Sequence, residues 1–150
     1  VVLAGGMWDV ADRKLAGSRR WTRIGVPAYD WYLALEFRHL TNLLAGMGAE
    51  VVWTTSPHWN PAYRPELFMG RPPYAEAAPA RADRYNQVLS AAIGSMPGVS
   101  LLDLAGWMRA FPGGEFSPAL RTDGVHFTTE STDRVAREFL GPWLVAIGRT

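Results

Sequence analysis

Three short apolar runs punctuate the chain, and each meets turn-forming residues. Val1-Val2-Leu3-Ala4 stops at Gly5-Gly6, Glu50-Val51-Val52-Trp53-Thr54-Thr55 stops at Ser56-Pro57, and Val99-Ser100-Leu101-Leu102-Asp103 follows Pro97-Gly98. Such runs predict strands buried on both faces, as in a parallel sheet. Between them the apolar residues recur at three and four. Leu33, Phe37, Leu40, Leu44 and Met47 trace a helical stripe ending at Gly48, a C-terminal glycine signal. Tyr85, Val88, Leu89, Ala92, Ile93 and Met96 trace a second stripe after Pro79. A last helix is expected from about Thr129, with Val135, Phe139, Trp143 and Ile147 on one line and Ala136, Leu140 and Leu144 beside it. Pro142 has no N–H for the carbonyl one turn earlier, so it predicts a kink or a restart.

Alternating strands and helices predict a parallel α/β sheet with right-handed crossovers. The connections are unequal. The helix-to-strand links, near Met47–Glu50 and Met96–Val99, are tight. The strand-to-helix links, roughly Gly5–Tyr29, Ser56–Pro79 and Leu104–Thr128, are far longer than usual. Every long loop is therefore expected at the carboxyl ends of the strands, where open α/β sheets bind ligands. The Pro57–Pro79 stretch carries Trp59, Tyr63, Leu67, Phe68 and Tyr74, side chains that can dock, and it reads as an ordered lid rather than a linker.

Composition narrows the class. A length of 150 residues, 48% hydrophobic and only 19% charged, describes one globular domain with its own core. The net charge of +1 comes from scattered basic residues and gives no reason to propose nucleic acid as a partner. With no cysteine, disulfides, thiol catalysis and cysteine-held metals drop out. The histidines, His39, His58 and His126, sit on separate elements with no His-x-x-x-His pair, which argues against a zinc site. No run approaches the roughly 20 apolar residues of a membrane span or reads as a signal peptide. The compartment stays open.

The chemistry concentrates in Arg121-Thr122-Asp123-Gly124-Val125-His126-Phe127-Thr128, just before the last helix. A carboxylate three residues ahead of an imidazole, with a glycine between them for a tight turn, can hold one ring nitrogen and leave the other for substrate. Alone, such a string recurs by chance in ordinary loops. Its place in the third long loop, on the expected ligand rim, favours a catalytic reading.

Those residues resemble the last sequence block of the SGNH (GDSL-type) hydrolases, Asp-x-x-His before the final helix. The family's third block, Gly-x-Asn-Asp after a strand, is similar to Gly6-Met7-Trp8-Asp9, with Trp8 standing where an oxyanion-binding asparagine belongs. The resemblance covers the whole chain and implies a flavodoxin-like three-layer parallel sheet. It implies Ser-His-Asp ester chemistry without a cofactor, with His126 as base and Asp123 as its partner. Gly6, Trp8 and Asp9 would line the oxyanion side of the cleft, Gly6 by close backbone approach, and Trp8 as an indole donor or an aromatic wall. His58 would contact substrate or belong to the lid. The tryptophan variant is similar to SGNH domains fused to membrane O-acyltransferases that act on cell-envelope glycans. That implies an acylated glycan or other ester as substrate and an extracytoplasmic face.

One block is missing. No Gly-Asp-Ser or Gly-x-Ser-x-Gly string occurs, and Ser56, the serine nearest the expected rim, is followed by Pro57. The chain thus reads as a single SGNH-like domain over residues 1–150 lacking the family's first strand, first helix and second strand, through truncation or natural loss. Truncation predicts an uncovered edge at Val1–Ala4. The alternative function is a binding or accessory module that kept the fold and lost its serine. An unrelated flavodoxin-like binding domain is disfavoured, because no Gly-rich phosphate loop follows a strand. Asp9 and Asp12 read as turn caps and partners of Arg13, Asp103 as structural, and His39 with Glu36 as a solvated helix face.

Overall fold

A computed structural model describes residues 1–61 and 73–147. Tyr63, Leu67 and Phe68 of the expected lid lie outside the described residues. The fold is mixed α/β around a small parallel sheet of three strands, β1 (Val2–Ala4), β4 (Val51–Thr54) and β5 (Val99–Leu102), in the order β1-β4-β5. Leu3 pairs with Trp53 and Trp53 with Leu101. Central β4 is buried along its whole length, as its unbroken apolar run requires.

β1 lacks the burial on both faces that its apolar run predicts. Within the described residues it pairs only with β4, and Val2 and Ala4 are exposed. An apolar run predicts burial, but burial needs a neighbour on each side, and the outer edge of β1 has none there.

The long loop after β1 holds a two-stranded hairpin, β2 (Arg13–Lys14) and β3 (Trp21–Thr22), that no periodicity announced. Helix α1 (Pro27–Gly46) then starts several residues before its expected stripe, with a proline in its first turn, where a missing N–H costs nothing. Its buried face steps by four through Tyr29, Leu33, Phe37 and Thr41. Leu40 and Met47 of the expected stripe are exposed. Trp53 fixes this rotation: its ring meets Phe37 edge-on at 5.3 Å, and its indole N–H donates to Thr41 Oγ1 at 2.9 Å. A buried tryptophan needs such an acceptor.

Helix α2 (Pro79–Ile93) buries Tyr85, Val88, Leu89, Ala92 and Ile93 as its period predicts. It shares the main core with α1 and with Val51 and Trp53 of β4. A short helix α3 (Leu104–Arg109) occupies what the sequence presented as loop, N-capped by Asp103, whose carboxylate accepts from Gly106 N–H. The last helix is interrupted, as Pro142 foretells. α4 (Thr129–Arg134) passes into a π-helical turn at Val135–Leu140 before α5 (Gly141–Ile147) restarts. A wider turn accommodates the proline that an unbroken α-helix would reject. Leu144, expected on the packed stripe, is exposed there. Val135, Phe139 and Leu140 join Leu104, Met108, Leu120 and Phe127 in a second, smaller core.

Candidate active site

The 121–128 turn is closed by its own side chains. Asp123 Oδ1 accepts the N–H groups of Val125 (2.8 Å) and His126 (2.7 Å). Its Oδ2 lies 2.7 Å from His126 Nδ1. Gly124 holds φ +75°, a left-handed conformation that side-chained residues rarely adopt. Thr128 Oγ1 caps α4 by accepting Ser131 N–H, and the buried Ser131 hydroxyl donates back to Leu120 O at 2.7 Å. The turn is thus anchored on the helix side and folded upon its carboxylate on the other.

Electrostatics follow from these bonds. Burial raises the Asp123 carboxyl's pKa, but hydrogen bonds from the His126 ring and from two backbone N–H groups outweigh it and hold the group at about 2. An ionised Asp123 accepts a hydrogen bond from Nδ1–H, which leaves the lone pair of a neutral imidazole on Nε2. The ring is 70% exposed, and Nε2 has no partner among the described residues.

A cleft of about 280 Å³ is lined by Gly6, Trp8, Ser56, Trp59, Val125 and Phe127, among others, but not by His126 or Asp123 themselves. The turn after β1 and the histidine turn therefore face one cavity. Gly6, at φ +131°, allows a close approach: a Cβ there would stand 2.2 Å from Ser56 Oγ. Its N–H is taken by Asp9 Oδ2 at 3.2 Å. Asp9 caps this turn and borders a different groove, so its carboxylate orders the cleft's margin rather than lining it. Trp8 is 75% exposed and borders both this cleft and an adjoining hollow of about 310 Å³ with Trp59, Tyr74 and Glu76.

Ser56 lines the cleft, but among the described residues its hydroxyl meets no histidine. Its backbone N–H and O both bond the Asn86 amide, and its hydroxyl makes only a long contact to Pro57 O, 3.4 Å away. His58 is not presented to the cleft either. Its Nδ1 lies 2.8 Å from Glu115 and its Nε2 2.9 Å from Asp83, so no ring nitrogen remains for the substrate contact expected of it. Asp12 pairs with Arg81, and His39 is exposed on α1. Among the described residues no cluster of His, Asp or Glu could hold a metal ion.

Sequence reasoning missed Arg121 and Glu115. Arg121 is buried; it donates to His58 O and lies over the Phe127 ring at 5.5 Å. Desolvation lowers its pKa to about 10 against the opposing pull of Glu115 and Asp123. Its place two residues before Asp123 was the one available signal, and nothing in the pattern marked an arginine as interior. No protein-family model matches the chain, and no curated protein matches it significantly.

Proposed function

We propose that this chain supplies the acid–base half of an SGNH-type ester hydrolase or O-acyl transferase acting on acylated glycans or other esters. The observation that carries the reading is the 2.7 Å Asp123–His126 pair, its Nε2 without a partner among the described residues, in a turn whose Val125 and Phe127 line the same cleft as Gly6 and Trp8. In this scheme a serine hydroxyl attacks the acyl carbonyl while Nε2 takes its proton. The proton then passes to the departing alcohol, leaving an acyl-serine. Water or an acceptor hydroxyl reverses the steps and frees the serine. Asp123 stabilises the transient imidazolium. Trp8, with its single N–H donor, stands where the family resemblance puts an oxyanion donor, and its indole also walls the cleft.

In the flavodoxin-like three-layer arrangement the resemblance implies, the nucleophile strand pairs beside Val2–Ala4. The outer edge of β1 is open among the described residues. A groove of about 480 Å³ runs along it past Leu3, Phe37, Leu40 and Trp53. Tyr85 borders that groove, and its buried hydroxyl has no hydrogen-bond partner among the described residues. These features suit an added strand. The same reading extends to a membrane-embedded acyltransferase partner and an extracytoplasmic location, which only a longer form of the protein can test.

A second reading, an accessory module without catalysis, is favoured by the absence of a serine at Nε2 among the described residues. Ester hydrolysis separates the two. The chain alone is expected to leave p-nitrophenyl acetate at background. A longer form bearing a Gly-Asp-Ser strand is expected to turn it over, and His126→Ala to abolish that activity. Full activity in His126→Ala removes His126 from the proposed chemistry; no activity in the longer form selects the module.

A further inference from the structure

His58 is held at both ring nitrogens by carboxylates from two different elements. Asp83 reaches Nε2 from α2, and Glu115 reaches Nδ1 from the loop between α3 and α4. The other Glu115 oxygen accepts the His58 backbone N–H at 3.1 Å. On its carbonyl side His58 accepts from buried Arg121. Two residues on, Asn60 N–H donates to Gly124 O at 2.9 Å. The 57–60 segment is therefore bonded once to the Asp123–His126 turn, once to Arg121 just before it and, through the His58 imidazole, to α2, where Asn86 also holds the adjoining Ser56 backbone.

An imidazole donates to two carboxylates at once only when both nitrogens carry protons. With one proton gone, a lone pair faces a carboxylate oxygen at hydrogen-bond distance, and that contact becomes repulsive. The two arms are unequal. The Glu115 side chain is 10% exposed and is tied to the His58 backbone as well, whereas Asp83 is 52% exposed and can turn into water. The Asp83 arm is the one that opens. The charged groups around the ring are Asp83, Glu115 and Arg121, with Asp123 beyond Arg121.

We propose that His58 is a proton-operated positioning residue: doubly protonated, it ties the 57–60 segment, and through it the Asp123–His126 turn, to α2, and loss of one proton releases the Asp83 arm. The consequence for catalysis rests on the ester reading; the latch does not. A latch seen in solution, beside a lengthened chain that stays active as His126→Ala, leaves the latch standing and removes only the catalytic role of the Asp123–His126 turn.

The test is an NMR titration of the chain labelled with ¹⁵N, across about pH 5 to 9, where imidazoles exchange protons. The Asn60 and Gly124 amide signals are expected to move with the same midpoint as the His58 ring nitrogens. Asp83→Asn is expected to remove that movement, because an amide can donate to a bare ring nitrogen or accept from a protonated one. His58→Gln is expected to remove it too, leaving only the component that follows the His126 ring. The latch is overturned if Asn60 and Gly124 ignore the His58 titration in the unaltered chain. It is equally overturned if their movement at that midpoint keeps its full amplitude in Asp83→Asn.

Discussion

Asp123 accepts three hydrogen bonds from within its own turn, so its charge holds the geometry on which His126 depends. Its carboxyl, at about 2 in the folded chain, lies below the ordinary aspartate value of about 3.9. A depressed pKa contributes stability that is fully present above the ordinary value and is lost as the pH falls through about 2. The turn should therefore persist through pH 4 and open only near the lower value. A carboxyl ¹³C titration of Asp123 with its midpoint at or above 4 contradicts this. In a lengthened, active form, Asp123→Asn should lower kcat by roughly 10³- to 10⁴-fold, because an amide cannot enforce the Nδ1–H tautomer. Retained kcat in that variant would mean that the tautomer is set elsewhere.

Between elements, two contacts decide how the pieces fit. Gly6 meets Ser56 at a distance no side chain tolerates and at positive φ. Gly6→Ala should cost about 1–3 kcal/mol of stability and separate the β1 turn from β4 at the cleft. Urea unfolding that matches the unaltered chain would show that this approach is not required. Thr41 joins α1 to β4 by accepting the Trp53 N–H and donating to Phe37 O at 2.6 Å. Thr41→Val leaves a buried indole N–H without its acceptor, and a loss of about 1–3 kcal/mol is expected in the same measurement. Thr41→Ser keeps the hydroxyl and should lose less.

At the scale of the whole molecule, the outer edge of β1 governs behaviour. Val1 and Val2 are exposed there, and neither side chain is charged. Open strand edges without lysine or proline recruit other strands. The chain by itself should self-associate with rising concentration, and Val2→Lys should reduce that association without unfolding the domain. Sedimentation velocity reads both. Association unchanged in Val2→Lys would place the contact elsewhere, on the exposed α1 residues Trp31 and Leu43, for example.

The three parallel strands, the α2 stripe and the Asp123–His126 turn were legible in the sequence, because each is local. Unbroken apolar runs, a period near 3.6 and a carboxylate folding back over three residues all depend on neighbours a few positions away. The restart of the last helix at Pro142 was equally local, since a missing N–H acts wherever the proline sits. The buried face of α1 was legible at Leu33, Phe37 and Leu44 but not at Thr41, because Trp53, twelve residues distant, selects Thr41 over Leu40. The hairpin and α3 carry too few residues to show a period. His58 read as a lid residue or a substrate contact until Asp83 and Glu115 arrived from 25 and 57 positions away. Sequence determined what each segment is able to form; the tertiary structure decided which side chains meet, because burial and ion pairing belong to pairs of segments and not to either one.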